Sequence, residues 1–452
     1  MRSNSPLLRL LQHPSILLIL SFGGAAILGA LLLLLPWMHH GNLSFIDALF
    51  TSTSAVCVTG LTVLNTATDF TRVGQIVILF LIQIGGLGVM TFSILIVYGL
   101  KRALEFRSFH FLQESFLPYK SGDIKTLFFS IFGYTFLAES ILSFVLFLGF
   151  LSRFSFSESA YQALFHAISA FCNAGFSTLE KGLLTYQKNY LVPGTIALGV
   201  LLGNTGFPII YEFLDRLRGR RKKFSLHFRL TLTAHLFLLL LGTLALLFWE
   251  WDSSLSRFSL PGKIFTAFFH SVNARTAGFN TVDLSIFSEH SIYFLTLLMF
   301  IGACPGSTGG GIKTTTMAVI WVTAFSRFRG YVRTVVFKRT IPDLQVSKAM
   351  TLFVFAVTVV VIFHLLLSLA VPKFPFYAAH GEFLATLFET VSALGTVGLS
   401  TGLTGHLSTF GKAVVILAMF CGRVGLLSLL SVLAQIKAPR LYHYAPEEVM
   451  LG

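Results

Sequence analysis

Long apolar runs dominate this sequence and restrict it to a membrane fold. Of its 452 residues, 54% are hydrophobic and only 12% are charged, which leaves too little polar surface for a soluble domain. A helix needs roughly 20 apolar residues to cross the ~30 Å hydrocarbon core of a bilayer. We predict eight spanning helices, over residues 16–37, 72–100, 124–152, 189–213, 227–250, 292–324, 345–372 and 410–436.

The basic residues predict the orientation of these helices. The formal net charge is +14, and Lys and Arg gather near both ends of the chain and in the loops after the second, fourth and sixth predicted helices. Short loops rich in Lys and Arg favour the cytoplasmic side. We therefore predict that both termini are cytoplasmic. Contact with anionic membrane lipid accounts for the basic loops, and we predict no nucleic acid partner.

Each predicted external connection contains a segment of the same pattern. The four segments share a Phe, three further residues, then Ser or Asn followed by Ala, and finally a Gly. They read FTSTSAVCVTGL from Phe50, FHAISAFCNAGF from Phe165, FHSVNARTAGF from Phe269 and FETVSALGTVGL from Phe388. Repetition at this scale is typical of a fold built from copies of one unit. We predict four helix–pore loop–helix units, over residues 1–104, 105–222, 223–340 and 341–452.

The stretches before each Gly are too short to span and too apolar for water. Irregular backbone at membrane depth is tolerated only where it is buried in protein or lines a wet cavity. We therefore predict a half-helix that enters from outside, followed by an extended strand that returns. Asp47 suits the positive N-terminal end of the first half-helix. The fold class is then an all-α polytopic membrane protein, with eight transmembrane helices and four re-entrant half-helices around a central pore. Amphipathic loops on the membrane surface are the alternative.

The residues that follow the half-helices favour binding of a bare cation. Several carbonyls directed at one axis need a residue that tolerates positive φ, which is Gly. Thr396, Val397 and Gly398 match the Thr-Val-Gly of potassium-channel filters, whose carbonyl oxygens replace the hydration shell of the ion. The negative C-terminal ends of the half-helices would also favour a cation. The predicted ion ligands in the other three strands are Val58, Thr59 and Gly60; Asn173, Ala174 and Gly175; and Thr276, Ala277 and Gly278.

With these motifs, nearly the whole chain resembles the membrane subunit of the bacterial Trk/Ktr potassium transporters, which are related to the plant HKT proteins. Eight predicted helices are more similar to the Ktr type, because the Trk type usually carries two extra N-terminal helices. The resemblance implies potassium binding by the four strands, with Gly60, Gly175, Gly278 and Gly398 as the filter glycines. Sodium-preferring relatives typically have Ser at the first of these, so Gly60 favours potassium.

The resemblance also implies partners and a location. It implies a homodimer in the inner (plasma) membrane, with a separate cytoplasmic nucleotide-binding regulatory subunit docked on the basic loops. Potassium is the implied transported ion, sodium coupling stays open, and no tightly bound cofactor is implied. The membrane potential supplies about 2.3 kcal/mol per charge per 100 mV, enough to drive potassium uptake without chemistry.

The four cysteines are interpreted as small buried hydrophobes: Cys57, Cys172, Cys304 and Cys421.

The sixth apolar run is broken by GACPGSTGGGIKTTT, from Gly302 to Thr316. Consecutive glycines after a Pro cannot sustain a helix at membrane depth. The segment nearly matches a phosphate-binding loop, but its Lys comes one residue late and no strand precedes it, so nucleotide binding is not predicted. The resemblance implies a flexible intramembrane loop that obstructs the pore and moves on activation. The predicted gate residues are Gly309, Gly310, Gly311, Lys313 and Arg423.

Three basic residues lie within or beside these segments. Lys313 and Arg423 would each cost about 2.5–3.5 kcal/mol at the centre of a spanning helix, which indicates an interior, functional position. Snorkelling or pairing near the cytoplasmic end is the alternative for both. Arg275 precedes the third filter strand, where a cation facing the ion path would be repulsive. We interpret Arg275 as structural, bonded to carbonyls or an acid behind the filter.

Two other functions compete with a gated pore. A secondary transporter that rocks two halves also uses repeats and broken helices. An intramembrane enzyme would need a catalytic pair, and the candidates are Ser307, His166, His270 and Glu389. The last three occupy equivalent positions in their repeats, immediately after the shared Phe, which favours an architectural role. We predict that the chain is not an enzyme.

Overall fold

The computed structural model of the chain describes residues 14–100, 124–219, 223–370 and 381–435 and is mainly helical. Both termini, which we predict to be cytoplasmic, lie outside these residues. In chain order the described α-helices are α1 (Pro14–Leu33), α2 (Phe45–Val56), α3 (Arg72–Leu100), α4 (Ile124–Phe150), α5 (Phe156–Phe171), α6 (Leu191–Asn204), α7 (Phe207–Leu217), α8 (Leu226–Glu250), α9 (Leu260–Asn273), α10 (Glu289–Phe300), α11 (Thr314–Phe328), α12 (Asp343–Ala370), α13 (Glu382–Gly395), α14 (Thr409–Val424) and α15 (Leu426–Gln435).

The first helix of each predicted unit is a continuous membrane-length helix. Within the described residues, α1, α4, α8 and α12 are long and apolar enough to cross a bilayer, and the bent pair of α6 and α7 would make a fifth span. Many of their large apolar side chains are exposed, such as Phe144 at 65% and Leu369 at 81%. Apolar surface of this kind is stable against lipid and unstable against water. The composition of these helices therefore agrees with a multi-pass membrane protein.

The second helix is broken in three of the four predicted units. The break in the sixth predicted helix, between Phe300 and Thr314, agrees with the sequence prediction. Continuous helices over 189–213 and 410–436 were predicted wrongly. The fourth bends by 92° between α6 and α7. There Gly206 has a φ of +82° and Pro208 follows within the first turn of α7, where its missing N–H is tolerated. The eighth breaks at Gly425, with a φ of +87°.

Four shorter helices precede the repeated glycines. They are α2, α5, α9 and α13, of 12, 16, 14 and 14 residues, and each packs against the first helix of its unit. The shared Phe of every repeat points into the protein, because all four of these side chains have 0% exposure. The repeat pattern therefore marks the buried face of each short helix. These residues are Phe50, Phe165, Phe269 and Phe388.

Few described residues lie outside helices and loops. A two-stranded antiparallel hairpin follows α11 and pairs β1 (Val335–Val336) with β2 (Arg339–Thr340). Its turn residues Phe337 and Lys338 have φ values of +50° and +60°, as a two-residue hairpin turn requires. Short 3₁₀ turns occupy Gly182–Tyr186, Leu284–Ile286 and Leu403–His406.

Candidate functional site

The four repeated glycines are neighbours in a closed order. A Cβ built on Gly60 would lie 3.1 Å from the Cα of Gly175, and one built on Gly175 would lie 3.1 Å from the Cα of Gly278. A Cβ built on Gly278 would lie 3.2 Å from the Cα of Gly398, and one built on Gly398 would lie 3.0 Å from the Cα of Gly60. Each strand therefore contacts the next and the fourth contacts the first. Residues separated by more than 300 positions in sequence meet in one ring.

No side chain fits at these glycines. Their φ values are +92°, +69°, +75° and +89° in chain order, a region that L-residues rarely adopt. A Cβ on Gly175 would lie 2.8 Å from the Ala277 carbonyl oxygen, and one on Gly278 would lie 2.7 Å from that of Val397. Gly60 and Gly398 face the equivalent carbonyl oxygens, which belong to Ala174 and Thr59. The middle residue of each predicted tripeptide thus packs its carbonyl against the neighbouring glycine.

The first residue of each tripeptide is also left-handed, which sequence reasoning missed. The φ values are +55°, +60°, +71° and +49° at Val58, Asn173, Thr276 and Thr396. Asn tolerates this region, whereas β-branched Val and Thr are strained there. Strained backbone persists only where the surroundings hold it, and it is common at functional sites. The fourfold repetition of this strain was the missed feature, because the residue type predicts it only at Asn173.

The Ser or Asn shared by the four repeats holds each strand to the short helix before it. The Oγ atoms of Ser54 and Ser392 accept hydrogen bonds of 3.1 Å from the N–H groups of Gly60 and Gly398. In the second repeat the Ser169 hydroxyl donates to the Phe176 carbonyl at 2.7 Å, and in the third the Asn273 Oδ1 accepts from the Phe279 N–H at 3.2 Å. These contacts explain why the pattern requires a short polar side chain at this position.

The residues weighed as catalytic are tied to their own strands. His166 Nε2 lies 2.9 Å from the Ser177 hydroxyl, and Ser400 donates to Glu389 at 2.9 Å. His270 Nε2 lies 3.5 Å from the Thr281 hydroxyl. Ser307, in the loop between α10 and α11, donates to the Cys304 carbonyl at 2.5 Å. The first three groups bond hydroxyls that follow their own repeat and Ser307 bonds nearby backbone, so these contacts agree with the predicted architectural role.

The predicted gate glycines lie directly against the first residues of the strands. The Asn173 amide is hydrogen-bonded to the Thr308 hydroxyl at 2.9 Å. A Cβ on Gly309 would collide with the Thr276 hydroxyl, and one on Gly310 would collide with the Thr396 hydroxyl. Successive residues of the loop between α10 and α11 therefore contact three of the four strands. Glycine permits this approach because its backbone carries no side chain.

The two predicted gate cations are bonded to backbone carbonyls inside the protein. Lys313 Nζ donates to the Gly309 carbonyl at 2.7 Å. The Arg423 guanidinium is only 3% exposed and donates to the carbonyls of Thr308 and Gly85. Arg423 therefore connects the loop to α3 rather than snorkelling to the cytoplasmic surface. Burial of a charge without such acceptors would be strongly unfavourable.

The structural interpretation of Arg275 is confirmed. Its side chain is 1% exposed and donates 3.0 Å to the Gly302 carbonyl and 2.7 Å to the Thr314 hydroxyl. Sequence reasoning missed Asn204, which donates to the Arg275 carbonyl at 2.6 Å and accepts from the Thr276 hydroxyl at 3.1 Å. One sequence feature could have identified Asn204. Asn204 and Arg423 each lie two residues before the glycine at which their helix breaks, Gly206 and Gly425.

The cysteines agree with their interpretation as buried hydrophobes. All four are free, with three buried and Cys421 half-buried. Two of them occupy equivalent positions, since Cys57 and Cys172 each directly precede the left-handed first residue of a strand. Cys172 packs closely against α3, because a Cβ on Gly86 would collide with its Sγ atom.

Comparison with known proteins identifies the family. Residues 12–442 match the family TrkH, described as cation transport protein. The Ktr system potassium uptake protein B of Bacillus subtilis is 38% identical, over 97% of this chain and 97% of its own. The potassium/sodium uptake protein NtpJ of Enterococcus hirae is 36% identical, over 96% of this chain and 95% of its own.

A solved structure shares the fold. The crystal structure of the potassium transporter TrkH from Vibrio parahaemolyticus gives a TM-score of 0.72 at 21% identity, covering 93% of this chain and 85% of that chain. Its helices and those described above therefore follow one architecture. The chain belongs to the TrkH family of cation transport proteins, and it is a multi-pass membrane protein and not an enzyme.

Proposed function

We propose that this protein takes up potassium through a gated, channel-like pore driven by the membrane potential. The observation that carries the proposal is the closed ring of Gly60, Gly175, Gly278 and Gly398, with a carbonyl from each strand against the next glycine. Rings of backbone carbonyls replace the hydration shell of a cation. The names of the relatives, potassium uptake proteins over nearly full length, support potassium as the ion.

The ion is bound by the twelve residues of the four strands. Strain at the first residue and a glycine at the third repeat in each strand, which supports an equal contribution from all four. The four half-helices end beside the ring, and their partial negative charge stabilises a cation there. In this proposal the chain forms four units over 1–104, 105–222, 223–340 and 341–452, with α2, α5, α9 and α13 as re-entrant half-helices.

The intramembrane loop closes the pore on the inner side of the ring. Gly309 and Gly310 contact the hydroxyls of Thr276 and Thr396, so the loop occupies the space that an ion leaving the strands would enter. Lys313 and Arg423 add positive charge to this obstruction and are bonded to loop carbonyls. Gly311, with a φ of +69°, lets the loop turn back towards α11. Uptake requires the loop to move aside.

The protein acts as a homodimer in the inner (plasma) membrane, with a cytoplasmic nucleotide-binding regulatory subunit on its basic loops. Exposed Arg329, Lys338 and Arg339, around the β1–β2 hairpin, support a docking face for this subunit or for anionic lipid. The described loops carry no sensing domain of their own, so the signal that moves the gate comes from outside the chain. Both termini are cytoplasmic.

Sodium and rocking transport remain as competing outcomes. The name of the Enterococcus hirae relative, a potassium/sodium uptake protein, favours testing sodium beside potassium. Saturable rubidium flux without strict proton coupling supports a pore, whereas obligatory coupling supports a rocking transporter.

The test is ion flux into liposomes that contain the purified protein. Gly60→Ser and Gly398→Ser are expected to reduce the selectivity for potassium over sodium, because each added side chain meets a carbonyl of the neighbouring strand. Gly405→Ser is the matched control, since nothing lies within 4 Å of a Cβ at Gly405. Wild-type protein without potassium flux, or unchanged selectivity in both filter variants, would contradict the proposal.

A further inference from the structure

One arginine holds both ends of the intramembrane loop. The ends of this loop meet at a neck, which we define as Gly302, Ile312 and Thr314. The Gly302 N–H donates to the Ile312 carbonyl at 2.8 Å, and the Thr314 hydroxyl donates to the Gly302 carbonyl at 3.1 Å. A single nitrogen of Arg275, Nη2, donates to both Gly302 and Thr314, at 3.0 and 2.7 Å. One guanidinium group therefore holds the two sides of the neck together.

The same arginine directly precedes the third filter strand. Its main chain leads directly into Thr276, and its carbonyl accepts a hydrogen bond from Asn204 at 2.6 Å. Asn204 also accepts from the Thr276 hydroxyl at 3.1 Å, while its own carbonyl accepts from the Cys304 N–H at 3.2 Å. The strand and the loop are thus joined twice, once through Arg275 and once through Asn204.

The guanidinium has little freedom to exchange partners. It is 1% exposed, and its second terminal nitrogen, Nη1, lies 2.6 Å from His235 Nδ1 on α8. Arginine stays protonated, so this His235 nitrogen must be the acceptor. A buried charge that loses an acceptor is strongly destabilised. If the loop neck moves, the arginine and its strand are therefore expected to follow rather than leave donors unpaired.

We propose that Arg275 is a positioning residue that couples the gate to the filter: it makes the loop neck and the third strand move together, so that opening the loop changes ion selectivity. The inference rests on the proposed function, because both the gate and the filter belong to that proposal. It adds that selectivity and gating are not independent properties of this chain.

Thr314 provides the sharpest test, because its hydroxyl can be removed without changing any residue of the third strand. Thr314→Val and Thr314→Ser are compared in liposomes by rubidium flux and by selectivity for potassium over sodium. Thr314→Val is expected to raise rubidium flux in the absence of any activating partner. It is also expected to change potassium-over-sodium selectivity by at least about fivefold, which is the lower end of the usual coupling between two sites. Thr314→Ser keeps the hydroxyl and is expected to retain the wild-type value of both quantities.

Two further variants complete the design. Arg275→Lys keeps the charge but not the two-acceptor geometry, and it is expected to change flux and selectivity as Thr314→Val does. Thr316→Val, on a half-buried threonine of the same helix, is the control and is expected to alter neither. If Arg275→Lys does not fold, the Thr314 pair still decides the question.

The outcomes separate the inference from the proposed function. If Thr314→Val raises flux with unchanged selectivity, the neck acts on the gate alone and the coupling is refuted. If it changes neither quantity per folded molecule, its role is structural and the coupling is refuted as well. Wild-type protein that carries no potassium at all would refute the proposed function first, and the coupling with it.

Discussion

At the scale of single residues, conformation and crowding impose separate demands on glycines that have a positive φ. Gly175 has a φ of +69° and would crowd the Ala277 carbonyl, whereas Gly182 has a φ of +53° with nothing within 4 Å of its Cβ position. A side chain in the left-handed region costs about 1–2 kcal/mol. Only at Gly175 does that side chain also push on a neighbouring strand.

These two glycines give a matched pair of alanine variants. Gly182→Ala is expected to lose about 1–2 kcal/mol of stability with unchanged ion flux. Gly175→Ala is expected to lose about 1–3 kcal/mol more than Gly182→Ala, because its side chain also overpacks the ring, and to lower potassium flux at least about tenfold. Thermal unfolding and liposome flux measure the two quantities. Equal flux in both variants would show that crowding at the ring is unimportant.

At the scale of elements, hydrogen bonds at helix ends decide where strands begin. Ser392 accepts from the Gly398 N–H at 3.1 Å at the end of α13, and Ser408 accepts from the Gly411 N–H at 3.2 Å at the start of α14. The two bonds are chemically alike. The first fixes the fourth strand to α13. The second caps α14, where the Ser408 hydroxyl also donates to the Ala370 carbonyl of α12 at 2.7 Å.

Replacing each serine by alanine separates these roles. Both variants are expected to lose about 1 kcal/mol of stability, as capping bonds of this kind contribute. Ser392→Ala is also expected to shift potassium-over-sodium selectivity by about 2- to 10-fold, the equivalent of one hydrogen bond. Ser408→Ala is expected to retain wild-type selectivity. A selectivity change of the same size in Ser408→Ala would mean that the effect is global rather than local to the strand.

At the scale of the whole molecule, ion pairs join the predicted units. Lys412 on α14 lies 2.5 Å from Asp47 at the start of α2, with side-chain exposures of 20% and 18%. The pair connects the fourth unit to the first, where the chain itself provides no connection. Arg72 and Glu158 form a second pair, at 2.6 Å, between the first and second units. Asp47 was predicted to suit the N-terminal end of its half-helix, and it lies in the first turn of α2.

Breaking the pair of Asp47 and Lys412 is expected to loosen the closure of the ring. Lys412→Met should lower stability by about 1 kcal/mol, the upper range for a partly exposed pair. Asp47→Asn should cost a similar amount, and the double variant should cost less than the sum, because the two single changes remove one interaction. Thermal unfolding of the three variants measures the coupling, and strictly additive losses would exclude it.

The second pair predicts that the stability of the protein depends on pH. Glu158 lies outside the spanning helices; burial raises its pKa, but hydrogen bonds from Arg72 and Gln162 outweigh this, so the pKa is lowered from its ordinary value of 4.5. A lowered folded pKa adds stability that is present above the unfolded pKa and lost as the pH falls through the folded value. Glu158→Gln should therefore be less stable than wild type at neutral pH, by well under about 1 kcal/mol because Arg72 is exposed. The difference should disappear once the pH falls below the lowered folded pKa of Glu158, and a gap that persisted in strong acid would refute this origin.

Local sequence information was sufficient for the broad architecture. Apolar runs set the positions of α1, α4, α8 and α12, because the length of a spanning helix depends only on the thickness of the bilayer. The repeated Phe, Ser or Asn, and Gly located the four short helices and the four glycines that follow them, because each acts on its own helix or turn. These signals act over a few residues and can be read without knowing the neighbours.

Only the tertiary structure decided the contacts that join distant segments. The left-handed conformation of Val58 and Thr396 opposes their residue types and is held by packing. The bend at Gly206 brings this glycine against the Pro305 carbonyl, about 100 residues away in sequence. Arg275, Asn204 and Arg423 form hydrogen bonds with the loop between α10 and α11, which they contact only in the folded chain. A buried charge or a strained residue is stable only with partners that other segments supply, and no local pattern specifies those partners.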